Sequence, residues 1–126
     1  MINVIVTAVG GENSESGAAR FEKDVLSLGP DVICIDYALN DRAISLDRTR
    51  RALVAMTAKA KERKIKVILL TPTADLAAKP DDPDDPLNQQ AALIRSIAKD
   101  QQVALVDSLA EFRSYVKNGG QLQELE

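Results

Sequence analysis

A short apolar run, framed by a proline and an Asn-Asp pair, constrains the fold of this chain most. The run from Val32 to Tyr37 follows Pro30, and Ala-Leu separates it from Asn40 and Asp41. Its length and its branched residues predict a buried parallel strand that delivers Asn40 and Asp41 to the carboxyl edge of a sheet. Because ligands bind at that edge in open α/β sheets, Asn40 is a candidate site residue. The alternative is that both residues only form a turn and a cap.

Three further apolar runs and four amphipathic segments extend this pattern along the chain. The other predicted strands are Ile2 to Ala8, Val67 to Leu70 and Val103 to Val106. Apolar residues at helical spacing predict helices around Ala18 to Leu28, Leu46 to Ala60, Ala91 to Ala98 and Leu109 to Val116, and Ser45 is a plausible cap for the second. This alternation predicts an α/β fold, a three-layer parallel sheet of four strands, in a single domain over residues 1–126.

Composition excludes several kinds of partner. The net charge is −3 and aromatic residues make up only 3%, so the basic surface and stacking platforms of nucleic-acid binding are missing. No apolar run approaches the roughly 20 residues of a membrane span, and the start of the chain does not resemble a signal peptide. We therefore expect no nucleic-acid or membrane partner and a cytoplasmic location. The single Cys34 lies within a predicted strand and is expected to be a buried, inert thiol.

The chain contains no histidine, which removes the usual base of Ser-His-Asp and Cys-His catalysis and the usual ligand of most zinc sites. The turn at Gly10-Gly11 lacks the full dinucleotide fingerprint and the lysine of a phosphate loop. The acidic segment before Pro86 lacks the glycine and glutamate of an EF-hand. We therefore predict no metal and no cofactor, and we interpret that segment as a solvated loop or a lid over a cleft.

Several stretches, in order and spacing, resemble the SGNH (GDSL-like) hydrolase family. Gly10-Gly11-Glu12-Asn13-Ser14, with Arg20-Phe21 and Asp24-Val25-Leu26, resembles the second block of that family. Ala38-Leu39-Asn40-Asp41 resembles its Gly-x-Asn-Asp third block, with alanine in place of the usual glycine. The stretches from Val67 to Thr73 and from Val103 to Phe112 resemble later core segments. The likeness covers almost the whole chain.

The resemblance implies a flavodoxin-like SGNH fold without its first strand, in a domain that is incomplete at both ends. It implies a small-molecule ester or acyl ligand, and it makes Gly11 and Asn40 two of the three oxyanion donors of the family. The family's nucleophile lies in Gly-Asp-Ser and its base in Asp-x-x-His, and the 126 residues contain neither motif. None of the serines near the predicted sheet edge lies in a Gly-Asp-Ser motif; these are Ser14, Ser16, Ser45 and Ser108. The isolated chain is therefore expected to be inactive as an esterase.

The missing first strand has a structural consequence. If the strand at residues 2–8 pairs directly with that at 32–37, right-handed crossovers place all three connecting helices on one face of the sheet. The opposite apolar face then needs a cover, so we predict a homodimer or a partner segment that completes the sheet. Two functional alternatives remain open: a non-catalytic module that binds a small oxyanion or acyl ligand, and, more remotely, a receiver-like module that uses Asp36 or Asp107.

Overall fold

A computed structural model describes residues 1–124 of the chain. It contains the helices α1 (Ser14–Asp24), α2 (Leu46–Glu62), α3 (Pro86–Gln101) and α4 (Ser108–Lys117), and the strands β1 (Val32–Ile35), β2 (Lys66–Leu70) and β3 (Ala104–Val106). Short 3-10 turns lie at Leu26–Leu28, Asn40–Ala43 and Leu122–Glu124. Within this part of the chain, no helix has both the length and the apolar character needed to cross a membrane.

Each helix begins at a side chain that caps its first turn. Asn13, Ser45, Asp85 and Asp107 accept hydrogen bonds from backbone N–H groups at the starts of α1, α2, α3 and α4. These bonds satisfy donors that an α-helix leaves without an intrahelical partner. The cap at Ser45 confirms the sequence prediction. Pro86 follows the Asp85 cap, at a position where a backbone N–H would have no helical partner.

The three strands form one parallel sheet in the order β1-β2-β3. Ile33 is level with Val67, and Leu69 is level with Leu105. One face of the sheet packs against α1, α2 and α3. Right-handed crossovers account for the position of α2 and α3. The core on this face includes Phe21, Leu26, Ile33, Ile35, Leu53, Met56, Val67, Leu69, Ile94 and Ile97.

The fourth strand predicted at residues 2–8 is not formed in this structure, which has three strands in its described part. The segment makes no ladder with β1, and Ile2, Val4 and Val6 are each at least 80% exposed. A cleft of about 330 Å³ lies between residues 4–9 and β1. A strand-like sequence needs a neighbouring strand to satisfy its backbone groups, and the cleft separates residues 4–9 from β1.

The predicted third layer is also missing from the described part of the chain. On the face of the sheet opposite the helices, Val32 is 48% exposed and Val106 is 46% exposed. Cys34 lies on the same face and is exposed, so the prediction of a buried thiol is wrong. Helix α4 packs elsewhere: its Leu109 joins Leu87 and Ala91 of α3 in a small separate cluster.

Candidate active site

The Gly10-Gly11 turn forms one side of the candidate site. Glu12 N donates to the carbonyl of Val9 at 3.2 Å, which closes a tight turn from residue 9 to residue 12. Gly11 has φ +77°, in the left-handed region that favours glycine. Its N–H donates no hydrogen bond to any residue in the described part of the chain. This exposed amide is therefore available to an acceptor from outside.

Asn40 forms the other side of the candidate site. It lies a few residues beyond β1, at the start of the 3-10 turn Asn40–Ala43. Its Nδ2 donates to the carbonyl of Glu12 at 2.8 Å, so the structure brings Asn40 next to the Gly11 turn. A primary amide has two N–H donors, and this bond uses one of them. The two predicted site residues therefore lie side by side.

Asp41 ties the two sides together, a role that sequence reasoning missed. Its side chain is fully buried, and Oδ1 accepts a hydrogen bond of 2.7 Å from Ser14 N. Gln90 Nε2 of α3 donates to the Asp41 carbonyl at 3.0 Å. Burial raises the pKa of the Asp41 carboxyl above its ordinary value. The partners lie 27 and 49 residues away in sequence, so no local signal identifies them.

Arg20 of α1 holds the Gly11 turn against the helix. The sequence indicated this residue only through the resemblance to the family. Its guanidinium donates to both carboxylate oxygens of Glu12, at 2.8 and 2.7 Å, and to the carbonyl of Thr7 at 2.8 Å. The hydrogen bond from Arg20 lowers the pKa of Glu12. This bidentate pair holds residues 7 and 12 against the same helix. We refer to Arg20, Glu12 and Thr7 as the Arg20 clamp.

Tyr37 sets the distance between α1 and the end of β1. A Cβ atom on Gly17 would lie 2.1 Å from the Tyr37 hydroxyl oxygen, so the ring lies directly on the helix backbone. Burial raises the pKa of Tyr37. Any larger residue at position 17 would push the ring away. Close packing at Gly17 therefore helps to bring Asn40 up to the Gly11 turn.

None of the four serines considered from the sequence is placed as a nucleophile. Ser14 is fully buried, and its hydroxyl has no hydrogen-bond partner in the described part of the chain. Ser16 lies on the exposed side of α1, and Ser45 caps α2. Ser108 is the first residue of α4. The sequence contains no histidine, so none of these serines has an imidazole base beside it.

Asp107 has a structural role at the end of β3. Arg95 donates to both of its carboxylate oxygens, at 2.7 and 2.9 Å, and Thr71 Oγ1 donates to Oδ1 at 3.0 Å. These contacts, led by Arg95, lower the pKa of Asp107. Because its oxygens are occupied, Asp107 is not available for the receiver-like chemistry considered above. Across residues 1–124, no three acidic or cysteine side chains cluster in a way that could hold a metal ion.

The acidic loop is joined to the site and to α3. Asp75 of the loop forms an ion pair of 2.6 Å with Arg42, the residue that follows Asn40 and Asp41. Asn88 Nδ2 donates to three loop carbonyls, those of residues 79, 80 and 82. The loop is therefore bonded to Arg42 at one end and to α3 at the other. The interpretation of this segment as a solvated loop did not predict these contacts.

Several solved structures are similar to this chain, among them three esterases or acylhydrolases. The acetyl xylan esterase AlAXEase is 28% identical with a TM-score of 0.77, and the match covers 87% of this chain and 61% of that one. The acetylxylan esterase Axe2 from Geobacillus stearothermophilus is 24% identical, with a TM-score of 0.75 and coverages of 85% and 54%. A putative acylhydrolase from Bacteroides fragilis is 32% identical, with a TM-score of 0.70 and coverages of 81% and 53%.

The chain thus spans between about half and three fifths of the length of these structures. A comparison with curated proteins gave no match. The model of the GDSL-like lipase/acylhydrolase family matches residues 1–125, nearly the entire sequence. The fold and the order of the matching stretches agree with that result, and the chain belongs to the GDSL-like lipase/acylhydrolase family.

Proposed function

We propose that this chain carries the oxyanion-binding part of a GDSL-type ester hydrolase, and that its 126 residues alone do not hydrolyse esters through a serine triad. The observation that carries the proposal is the position of Asn40, whose Nδ2 lies 2.8 Å from the Glu12 carbonyl, beside the Gly11 turn. Asn40 and Gly11 are the two proposed oxyanion donors.

The chemistry of ester cleavage explains why two such donors matter. Attack on the ester carbonyl turns its oxygen into an oxyanion, and N–H groups fixed in advance stabilise this charge as it forms. The second N–H of Asn40 and the backbone N–H of Gly11 are suited to this task. Loss of one such donor typically lowers the rate by about 10²- to 10³-fold. The Glu12 carbonyl and Asp41 hold the donors in position before any ligand binds.

The nucleophile and the base must come from outside these residues. The sequence contains no histidine and no Gly-Asp-Ser, and Ser14 is buried. We propose that residues 1–126 form one incomplete SGNH domain, in which residues 2–8 become the fourth strand of a flavodoxin-like sheet once the cleft beside β1 is filled. The name of the relative AlAXEase, an acetyl xylan esterase, favours a small acetyl ester as the substrate of the complete domain.

A non-catalytic binding module is the second candidate. It is favoured by the same two donors in a chain whose sequence offers no base. Such a module would hold a small oxyanion or an acyl ligand without cleaving it. The reading frames on either side of the coding sequence separate the two candidates: Gly-Asp-Ser upstream and Asp-x-x-His downstream would favour the hydrolase.

Nuclear magnetic resonance tests the donor pair directly. We expect that methylphosphonate, a tetrahedral mimic of the acetyl intermediate, shifts the side-chain amide of Asn40 and the backbone amide of Gly11. Asn88 is an internal control because its amide already bonds three loop carbonyls. An Asn40→Ala variant should bind the probe more weakly, while an Asn118→Ala variant, changed outside the site, should bind normally.

Two results would contradict the proposal. Equal shifts at Asn40 and Asn88, or no shift at either, would show that the site does not bind an oxyanion. Hydrolysis of p-nitrophenyl acetate that is faster than in buffer, and that disappears in Asn40→Ala, would show that the isolated chain is already a complete catalyst.

A further inference from the structure

We propose that the buried carboxyl of Asp41 couples proton uptake to anion binding at the candidate site, so that Gly11 and Asn40 bind an oxyanion more tightly when Asp41 is neutral. The inference rests on the proposed oxyanion site and adds a dependence on pH to it. Asp41 is fully buried and acts on a ligand only through its neighbours, so it is a positioning residue.

The surroundings of the Asp41 carboxyl accommodate both of its charge states. Its Oδ1 accepts a hydrogen bond from Ser14 N at 2.7 Å, and its Oδ2 has no hydrogen-bond partner in the described part of the chain. The hydroxyl groups of Ser14 and Thr49 are fully buried, also lack partners there, and lie close enough to influence the pKa of the carboxyl. A hydroxyl group can donate to an ionised oxygen or accept from a protonated one. Asp41 can therefore gain or lose a proton without leaving its position.

The burial of the carboxyl favours its neutral form. The cavity beside it, which Leu53, Leu69 and Ile94 also line, is too small for a water molecule, so a negative charge there has little solvation. The N–H of Ser14, at the positive end of α1, favours the ionised form. Burial outweighs this hydrogen bond and raises the pKa of Asp41 above its ordinary value.

The groups that face Asp41 from the surrounding elements do not offset its burial. From α1, the negative charge of Glu15 raises the pKa of Asp41 further. From the end of β1, Tyr37 faces it, and a charge on Asp41 contributes to the raised pKa of that tyrosine. From α2 and α3 come the uncharged side chains of Thr49 and Gln90.

The arginines close to this cluster are paired with other carboxylates. Arg42, the next residue after Asp41, pairs with Asp75, and Arg48 of α2 pairs with Glu15. Among the described residues, neither arginine forms an ion pair with Asp41. A cation that would hold Asp41 in its ionised form is therefore not supplied by these two side chains.

The Asp41 carboxyl is linked to both proposed oxyanion donors. Asn40 is the residue before Asp41, and the N–H that Asp41 accepts belongs to a residue three positions beyond Gly11. Asn40 Nδ2 also bonds the Glu12 carbonyl, so an anion held by the two donors lies in the same small region as Asp41. Two negative charges repel most strongly where water is excluded. A bound anion therefore favours neutral Asp41, and by linkage neutral Asp41 favours the anion.

Nuclear magnetic resonance of the ¹³C,¹⁵N-labelled 126-residue chain tests this coupling in both directions between about pH 4 and pH 8. The probe is methanesulfonate, a tetrahedral anion whose charge does not change over this range. We expect its dissociation constant, followed at the amides of Gly11 and Asn40, to fall at least about fivefold as pH falls through the titration of Asp41. The titration midpoint of the Asp41 carboxyl carbon should rise when the probe is present. No histidine titrates over the same range, because the sequence contains none.

Two variants make the same chemical change in different surroundings. Asp41→Asn keeps an acceptor for Ser14 N but takes up no proton, so its affinity for the probe should hardly depend on pH. Asp100→Asn changes a side chain of α3 that is 63% exposed, and it should keep the full pH dependence. The carboxyl-carbon titration uses the unmodified protein, so it does not depend on the folding of either variant.

Two results would overturn the coupling while leaving the oxyanion site intact. One is a titration midpoint of Asp41 that the probe does not move. The other is binding to Asp41→Asn that depends on pH as strongly as binding to the unmodified protein. Failure of the probe to bind at any pH would contradict the proposed function itself, and the coupling with it.

Discussion

The Gly11 turn and the N-terminal segment adjoin each other in the chain but are held in different ways. Asn40, Asp41 and Arg20 all bond to residues 12 to 14, over distances of 2.7 to 2.8 Å. Residues 1–9 have a stronger strand signal, yet Arg20 supplies their one side-chain hydrogen bond in the described structure, at Thr7. The candidate site at Gly11 and Asn40 is thus held by several side-chain bonds, whereas residues 1–9 have only one such bond and form no strand.

The difference shows what each kind of structure needs. The turn depends on side chains from α1, α3 and the loop after β1, all of which belong to this chain. A strand depends on the backbone of a neighbour, and branched residues alone do not supply one. Gly11 and Asn40 are therefore held next to each other by residues of this chain, while residues 2–8 form no strand in the described structure.

The largest expected effect comes from making the same valine-to-alanine change in the paired sheet and in the N-terminal segment. Val67 of β2 is 3% exposed and Val6 is 80% exposed. We expect Val67→Ala to lower the free energy of unfolding by about 2 kcal/mol, from lost burial and a residual cavity. Val6→Ala should change it by less than about 0.5 kcal/mol, as surface changes usually do. Urea denaturation measures both variants, and equal losses would show that residue 6 is packed in a sheet.

A smaller, pH-dependent effect is expected at Asp41. Burial raises the pKa of this carboxyl in the folded protein, so the folded state holds its proton to higher pH than the unfolded state does. The contribution of Asp41 to the free energy of unfolding therefore falls as pH rises from about 4 through the raised pKa. Asp41→Asn keeps an acceptor for Ser14 N and carries no charge.

The free energy of unfolding of Asp41→Asn, relative to that of the unmodified protein, should accordingly increase as pH rises from 4 to 7. Urea denaturation at several pH values measures this difference. The contributions of the other carboxyl groups cancel because both proteins contain them. A difference that shifts toward the unmodified protein as pH rises would mean that the negative charge of Asp41 stabilises the fold.

Most of the fold could be predicted from sequence because its signals are local. The cap at Ser45, the helical spacing of apolar residues and the apolar runs of β1, β2 and β3 predict these three strands and four helices in the observed order. The errors concern neighbours. Residues 2–8 have the composition of a strand but no ladder, and Cys34 was expected to be buried because both faces of β1 are apolar. The structure covers only one of those faces.

The candidate site also contains features that local sequence predicts and features that depend on distant contacts. Gly11 and Asn40 were found through short motifs, each contained in a few consecutive residues. Asp41, Gln90 and the Arg20 clamp act through contacts between distant parts of the chain, and no spacing in the sequence indicates them. Tyr37 on Gly17 is a further example, since only the packing of α1 against the end of β1 explains the glycine.

Amide hydrogen exchange of the unmodified chain at low concentration tests the central claim most directly. We expect the amides of residues 2–8 to exchange at the rates of an unfolded peptide, because none of them donates a hydrogen bond within the described structure. The amides of Ser14 and Asp41 should be protected by their bonds to the Asp41 carboxylate and the Tyr37 carbonyl. Comparable protection in both groups would contradict the account, because it would mean that residues 2–8 already pair with β1 and that no cleft exists.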